Sequence, residues 1–523
     1  MRLKLILFSC LFLSLIMFGQ QEFHVFPADH KDSPGSASGD GSLARPWDLQ
    51  TALNWKKSQL KGGYIVWLHG GIYNGRFVST IQGENARDKI VVSAYAREKV
   101  VINGNSPSKR KAVLEVRGSH IVFKNFEITF LGEFPRRQGE KGFMVVDGIS
   151  HVSGKGCSFF NLKIHNNPGS GIGSWKRTGG TTIENCKIYN NGYFSKVRGS
   201  GVGLYVQNAS DRMRVIQNNF IFNNYYKGIQ VWSASSGKGV EFIKNVLFEN
   251  NVVFNNGLPA GKLVDNLIIA SDDRSGVNRP RNIRVNSNVF YHNTDFNSRS
   301  NSGNAPSVTL GYNARAPIED VSLNANIIIG KNNALRILHA KSLSFENNTI
   351  YAGYVHFNSS VLAHINSAKW KFSGNRYFTK RNKAFRISRD SDYTIDEWQK
   401  RFGIDSESRW NQLSQLELKP VLFLNKNHDY EKAYDIAVFD KLGGPVSIDP
   451  DKIEASGYKS YHIRNIGSGE ILVSGSFDGS RKIEVPMGTF NGTAANFGVY
   501  TIEFIDEIKR RQSFLRKLFP WLF

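Results

Sequence analysis

Three short Gly-led segments carry the side chains best suited to chemistry: Gly171-Ile172-Gly173-Ser174-Trp175, Gly203-Leu204-Tyr205-Val206-Gln207 and Gly228-Ile229-Gln230-Val231-Trp232. Strand alternation sends Ile172, Leu204, Val206, Ile229 and Val231 to one side. It sends Trp175, Tyr205, Gln207, Gln230 and Trp232 to the other. Neighbouring loops hold Lys196, Arg198 and Lys227. A face of aromatic rings and amides suits stacked, hydroxyl-rich rings such as sugars. Elimination next to a carboxylate needs a cation to neutralise it, a base for the proton and a donor for the leaving oxygen. Arg198, Lys227 and Tyr205 are of the right types for those roles. The plainer alternative, that large side chains merely cover a bare sheet, stands beside this one.

Hydrolysis would instead need two carboxylic acids about 5 to 10 Å apart. Asp147, Glu184, Asp272 and Asp273 are the nearest candidates, and Arg274 follows them as a further binding residue. The same acids admit Ca²⁺ through oxygen ligands, but their spacing matches no Ca²⁺ loop. The 12 histidines are scattered without metal-ligand spacing. No metal site is assigned, and a Ca²⁺ requirement is left open. Gly169 to Gly173 reads as turn and strand rather than as a phosphate cradle.

These side chains need a scaffold, and the chain repeats itself to build one. Phe160-Asn161-Leu162-Lys163-Ile164-His165-Asn166-Asn167, Ile183-Glu184-Asn185-Cys186-Lys187-Ile188-Tyr189-Asn190-Asn191, Ile216 to Asn224 and Phe248 to Asn256 are near copies, with weaker ones after them. Aligned on Asn125, Asn161, Asn185, Asn218 and Asn250, the steps are 36, 24, 33 and 32 residues. Such a period, with brief β-forming stretches and Asn-rich corners, marks a solenoid. Asn suits the corner because it tolerates left-handed dihedrals, and stacked Asn amides can bond one another between coils. The fold class expected is all-β: a right-handed parallel β-helix with an N-terminal capping helix and a small C-terminal antiparallel β-domain.

At 523 residues two folded units are expected. Residues 1–20 read as a signal peptide: Arg2 and Lys4, an apolar run from Leu5 to Phe18, then Gly19. The β-helix with its cap takes residues 21–380, its helix starting near Pro46-Trp47-Asp48-Leu49. Residues 381–416 read as a linker with a short helix. Residues 417–506 read as a β-sandwich-like domain, and 507–523 as a basic amphipathic tail. That tail suits peripheral contact with a membrane surface, or equally docking on the body.

The expected compartment is therefore the periplasm, the cell surface or the outside, and the protein is expected to be a monomer. Cys157 and Cys186 are too few for a disulfide framework and read as small core residues. The formal charge is +23; without Arg2, Lys4 and five basic tail residues the body keeps +16 (23 − 2 − 5). An exported body that basic attracts polyanions. No nucleic-acid motif is present, so an acidic polysaccharide is the expected partner.

The opening Phe26-Pro27, Gly39-Asp40-Gly41-Ser42, Pro46-Trp47-Asp48-Leu49-Gln50-Thr51-Ala52 and Leu68-His69-Gly70-Gly71-Ile72-Tyr73 resembles the start of pectate-lyase-like β-helix proteins. The resemblance runs to about residue 380. It implies a carbohydrate-active β-helix, although the superfamily holds lyases, hydrolases, epimerases and adhesins. Some members carry a His-Gly-His-Gly-like run before Tyr-x-Gln-Asn. Here Tyr205, Gln207 and Asn208 match, and both histidines are absent. Lyases of the superfamily use Lys or Arg as base, sometimes with Tyr as acid. The expectation is a secreted polysaccharide lyase on an acidic glycan. Lys227 is the base, Arg198 the carboxylate clamp and Tyr205 the leaving-group acid, with Trp175, Gln207, Gln230, Trp232 and Arg274 binding substrate. A glycoside hydrolase and a non-catalytic glycan binder are the alternatives.

Overall fold

The computed structural model describes residues 21–505 except 97, 237–238, 295, 297–302, 428–431 and 456. The expected signal peptide and basic tail lie outside the described residues. Three sheets of 12 strands each run the length of the solenoid. They are parallel throughout, except that Phe385–Ser388 closes the third sheet against Asp392–Tyr393 in the antiparallel sense.

One coil shows how the sequence makes the fold. Ser158–Phe160 lies in the first sheet, Lys163–His165 in the second and Ile172–Ser174 in the third. Two corners separate them. Asn161 (φ 50°) and Asn166 (φ 57°) take the left-handed conformation there, as do Asn185, Asn190, Asn218, Asn223, Asn250 and Asn255 in later coils. This is the conformation in which Asn outranks other non-glycine residues.

The residue after each first-corner position, which is Asn in most coils and Ser287, Ala325 or Gly374 in later ones, points into the coil. Phe126, Leu162 and Cys186 fill that seat in three coils and are buried. From the next coil the seat belongs to Asn219, Asn251, Asn288, Asn326, Asn348 and Asn375. Each Nδ2 donates to the Oδ1 one coil on, at 2.9, 2.9, 3.0, 2.9 and 3.1 Å. Asn375 ends the row by donating to Asp405 Oδ1 at 3.2 Å. A second row, Asn167, Asn191, Asn224, Asn256 and Asn266, is built the same way at 2.9 to 3.1 Å. Cys157 and Cys186 are buried and free, as core residues.

Arg214 is fully buried inside the coil, where its guanidinium donates to the carbonyls of Ser174, Trp175, Thr178 and Gln207. Burial alone pushes it down to about 9.

Both ends are capped. At the front Asp48 accepts from Thr51 N and starts the helix Leu49–Ala52, with Leu49, Ala52 and Leu53 buried. At the back the structure corrects the expected linker at 381–416. Phe385–Ser388 continues the third sheet and Arg409–Gln412 the second. Between them the helix Ile395–Phe402 plugs the last coil, with Trp398 stacked on Phe385 at 4.7 Å. A Thr394–Glu397 capping box starts that helix and Gly403 in the left-handed region ends it.

The C-terminal unit is a five-stranded antiparallel sheet backed by a two-stranded antiparallel ribbon of Val446–Ile448 and Ile483–Val485. One face packs on that ribbon through Ile436, Val438 and Ile502. The other face, with Ala437, Phe439, Phe497 and Val499, packs on the second solenoid sheet through Phe222, Phe254 and Tyr291. Tyr291 stacks on Phe497 at 4.1 Å. The second sheet is therefore covered along much of its length, and the third keeps its outer face.

Candidate functional site

Parallel pairing in exact register fixes which side chains share the outer face of the third sheet. The outward row runs Glu115, Ser150, Gly173, Tyr205, Gln230, Ile268, Thr309, Arg336, His356 and Arg386. Ile172, Leu204, Val206, Ile229 and Val231 are all buried on the other side, as alternation requires. Strands in such a sheet repeat about every 4.8 Å, so the row forms a long platform along the solenoid axis, with Ile268 and Thr309 buried at its middle.

An aromatic margin borders the row. Trp175 packs beside Tyr205 with ring centres 5.1 Å apart and donates to Ser150 Oγ at 3.2 Å. Trp232 packs edge-on to Tyr312 at 5.0 Å. Gln230 is half-buried on the platform itself. Gln230 thus lies in the outward row, with Trp175 and Trp232 beside it.

Two expected roles need correction. Gln207 is nearly buried and gives its amide to the Trp232 carbonyl at 3.0 Å, so it braces the margin and does not face solvent. The Tyr205 hydroxyl donates to the same carbonyl at 3.1 Å. Burial pushes its phenol above the ordinary value. With its proton engaged there, Tyr205 is poorly placed to protonate a leaving oxygen.

Lys227 sits at the rim, two residues before Ile229, and is buried. Its Nζ lies 3.4 Å from Asp265 Oδ2, 5.2 Å from the Tyr226 ring centre and 5.7 Å from that of Trp232. Arg198 lies flat on the other part of this cluster, 3.9 Å from the Tyr226 ring, and donates to the Gly199 carbonyl at 3.1 Å. Its guanidinium is otherwise open to solvent. Arg274 is exposed and pairs loosely with Asp272 at 3.9 Å. No recorded contact joins it to Lys227, Arg198 or Trp232 among the described residues.

Sequence reasoning missed the centre of this site. Asp265, with its side chain 5% exposed, accepts from Thr309 Oγ1 and pairs with both Lys227 and Arg336, the latter at 3.1 Å. Arg336 Nε also donates to Thr309 Oγ1 at 2.9 Å. Next along the row His356 Nε2 lies 2.7 Å from Ser388 Oγ. Burial, with Arg336 and Arg386 beside it, holds its imidazole below the ordinary value and therefore neutral near pH 7. Arg386 forms a bidentate pair with Asp392 at 3.1 and 2.9 Å. The signal was present: Asp265-Asn266-Leu267-Ile268-Ile269 repeats the pattern of Lys227-Gly228-Ile229-Gln230-Val231. Likewise Leu335-Arg336-Ile337, Val355-His356-Phe357 and Phe385-Arg386-Ile387 set one basic residue between two apolar ones.

The acids proposed for hydrolysis do not converge. Glu184 belongs to the first sheet. Asp147, pushed up to about 6 by burial and accepting from Ser170 N at 2.7 Å, starts a strand four places from that of Leu267–Ile269. Asp273 closes its own turn by accepting from Ser275 N and Asn278 N at 2.9 and 2.8 Å. Asp272 accepts from Asn313 at 2.8 Å. With their oxygens turned to these donors, the pair does not fit a Ca²⁺ site.

Residues 79–253 match the model of a right handed beta helix region. No curated protein matches the sequence. Among solved structures, a rhamnogalacturonan lyase is similar at 14% identity and TM-score 0.45, over 72% of this chain and 89% of that one. The pectate lyase Pel9A is similar at 15% identity and TM-score 0.42, over 71% and 78%. So is the tailspike protein gp49 of Acinetobacter baumannii bacteriophage Fri1, a capsular polysaccharide depolymerase, at 11% identity and TM-score 0.42 over 93% and 84%. Likeness this distant carries no argument about activity. The chain folds as a right-handed parallel β-helix: residues 79–253 match the model of such a region, and the same coil continues on both sides of the match.

Proposed function

We propose that this is an exported enzyme that cleaves an acidic glycan by β-elimination on the outer face of its third sheet. One observation carries the reading: Lys227 and Arg336 converge on the buried Asp265 beside the outward row of the third sheet, with Trp175, Trp232 and Tyr312 along its margin. Aromatic rings stack on sugar rings, and the cations meet uronate carboxylates. The apolar run at the N-terminus supports export, and the basic body supports an acidic partner.

In this mechanism Arg198 clamps the uronate carboxylate and so acidifies the proton on the adjacent carbon. Lys227, after yielding its own proton to water, takes that proton, and Asp265 stabilises the ammonium so re-formed. The carbon's electron pair becomes the new double bond as the glycosidic C–O bond breaks. Because Tyr205 is engaged with the Trp232 carbonyl, the leaving oxygen takes its proton from water.

The test is to mix the mature protein with a panel of uronic-acid glycans and follow the ultraviolet absorbance of unsaturated sugar ends. A rise that disappears in Lys227→Met supports the reading. Reducing ends released without that absorbance would transfer the assignment to a hydrolase. Binding without any product would leave a glycan-binding module.

A further inference from the structure

The C-terminal sheet covers the second solenoid sheet from Lys187–Tyr189 onward, but the cover lifts towards the N-terminal coils. There a cleft of about 380 Å³ opens between the two units. That volume falls within the range of small-ligand sites. Its floor is the outward row Glu127, Lys163 and Lys187, consecutive across three paired strands. Its roof is Asn427, Arg464 and Asn465 of the C-terminal unit.

Most charges here are already matched. Lys187 pairs with Asp435 at 2.9 Å, Arg464 with Glu503 at 2.7 Å, and Glu127 with His165 at 3.0 Å. Lys163 lies between Glu127 and Lys187, and no ion pair or side-chain hydrogen bond is recorded for its Nζ among the described residues. Its Nζ reaches across the cleft towards Gly469, where an added Cβ would lie 3.8 Å away. Burial, then the neighbouring Lys187, push the ammonium down to about 8 despite Glu127 and Asp435 nearby. A half-buried cation without a partner costs free energy that an anion in the cleft would offset.

We propose that this cleft is a second ligand site, separate from the third-sheet platform, which takes a carboxylate-bearing sugar of one or two units with its carboxylate on Lys163. Around that anchor stand groups that suit hydroxyls. Asn427 Nδ2 donates to Asn161 Oδ1 at 3.3 Å, and the side-chain amides of Asn125, Asn161 and Asn465 also line the cleft. Lys99 lies exposed at the mouth and favours entry of an anion.

Calorimetric titration of the full chain with a free uronic acid, its neutral parent sugar and inorganic sulfate tests the assignment. The uronic acid should bind, the neutral sugar should not, and Lys163→Gln should weaken binding at least tenfold. Lys227→Met should leave that affinity unchanged, which separates this site from the platform. Affinity should be level below about pH 7 and fall as pH rises through 8, where the Lys163 ammonium loses its proton. Lys163→Arg should retain binding and remove the fall, a readout independent of how well the Gln variant folds. Absence of uronate binding, an unchanged Lys163→Gln, or sulfate binding as tightly as the uronic acid would overturn the proposal.

Discussion

Lys227 Nζ and Asp265 Oδ2 lie 3.4 Å apart at the rim of the third sheet, on adjacent turns that repeat the same local pattern. Asp265 also binds Arg336 and Thr309, so one carboxylate holds two cations from different coils in place. Lys227→Met keeps the apolar stem, so folding should persist while turnover on the responsive glycan falls at least about a hundredfold. Asp265→Asn should also destabilise, by about 3 kcal/mol in denaturant titration, because two cations lose their buried partner. Retained activity in Lys227→Met would remove the lysine from the mechanism.

Asn251 tests the amide row. Its Oδ1 accepts from both the backbone and the side chain of Asn219, and its Nδ2 donates to Ile216 O. Asn251→Ala should cost about 1–3 kcal/mol or more in chemical denaturation. The loss should exceed that of an exposed corner residue such as Asn347, whose amide bonds only Asn324 at 3.1 Å. Equal losses would mean that the row adds nothing beyond the corners.

Acid sensitivity should trace in part to His151, which is fully buried and pushed down from 6.5 to about 3 by burial and by Arg214. The unfolded chain takes up a proton below about 6.5 while the folded chain does not. Stability is therefore intact above that pH and is lost as pH falls towards 3, by about 1.4 kcal/mol per unit. His151→Leu should flatten that part of the curve of melting temperature against pH. An unchanged slope below pH 6.5 would assign the acid response to other groups, His292 first, which burial holds at about 4.

Trp398 is completely buried against Phe357 and Phe385, at 4.9 and 4.7 Å. Trp398→Ala should cost about 3–5 kcal/mol. Hydrogen exchange should rise first in Phe385–Ser388, the strand the helix covers, and last in the middle coils.

The solenoid was legible because each coil states its own plan: Asn at the corner, an apolar residue on either side of each outward one. The inward set Ile172, Leu204, Val206, Ile229 and Val231 follows from alternation alone. Trp175, Gln230 and Trp232 were legible for the same reason. Asp265 was not, since its role depends on Lys227 and Arg336, which lie 38 and 71 residues away and meet only through register. The last coil was read as linker because Trp398 and the helix around it resemble any short amphipathic helix; only their stacking on Phe385 shows a plug. The contact between the C-terminal sheet and the solenoid was likewise invisible, being carried by Tyr291 and Phe497, 206 residues apart.

The first-corner amide row has a direction. Every Nδ2 from Asn219 to Asn375 points towards the C-terminal end, and the row meets the Asp405 carboxyl there. Six side-chain dipoles thus add head to tail, and their positive end is answered by an acidic group held in the cap. The coil is closed electrically as well as sterically. A second molecule stacking its coil on that end would meet a donor, Asn375 Nδ2, already given to Asp405, which turns the cap into a barrier against growth into a fibre.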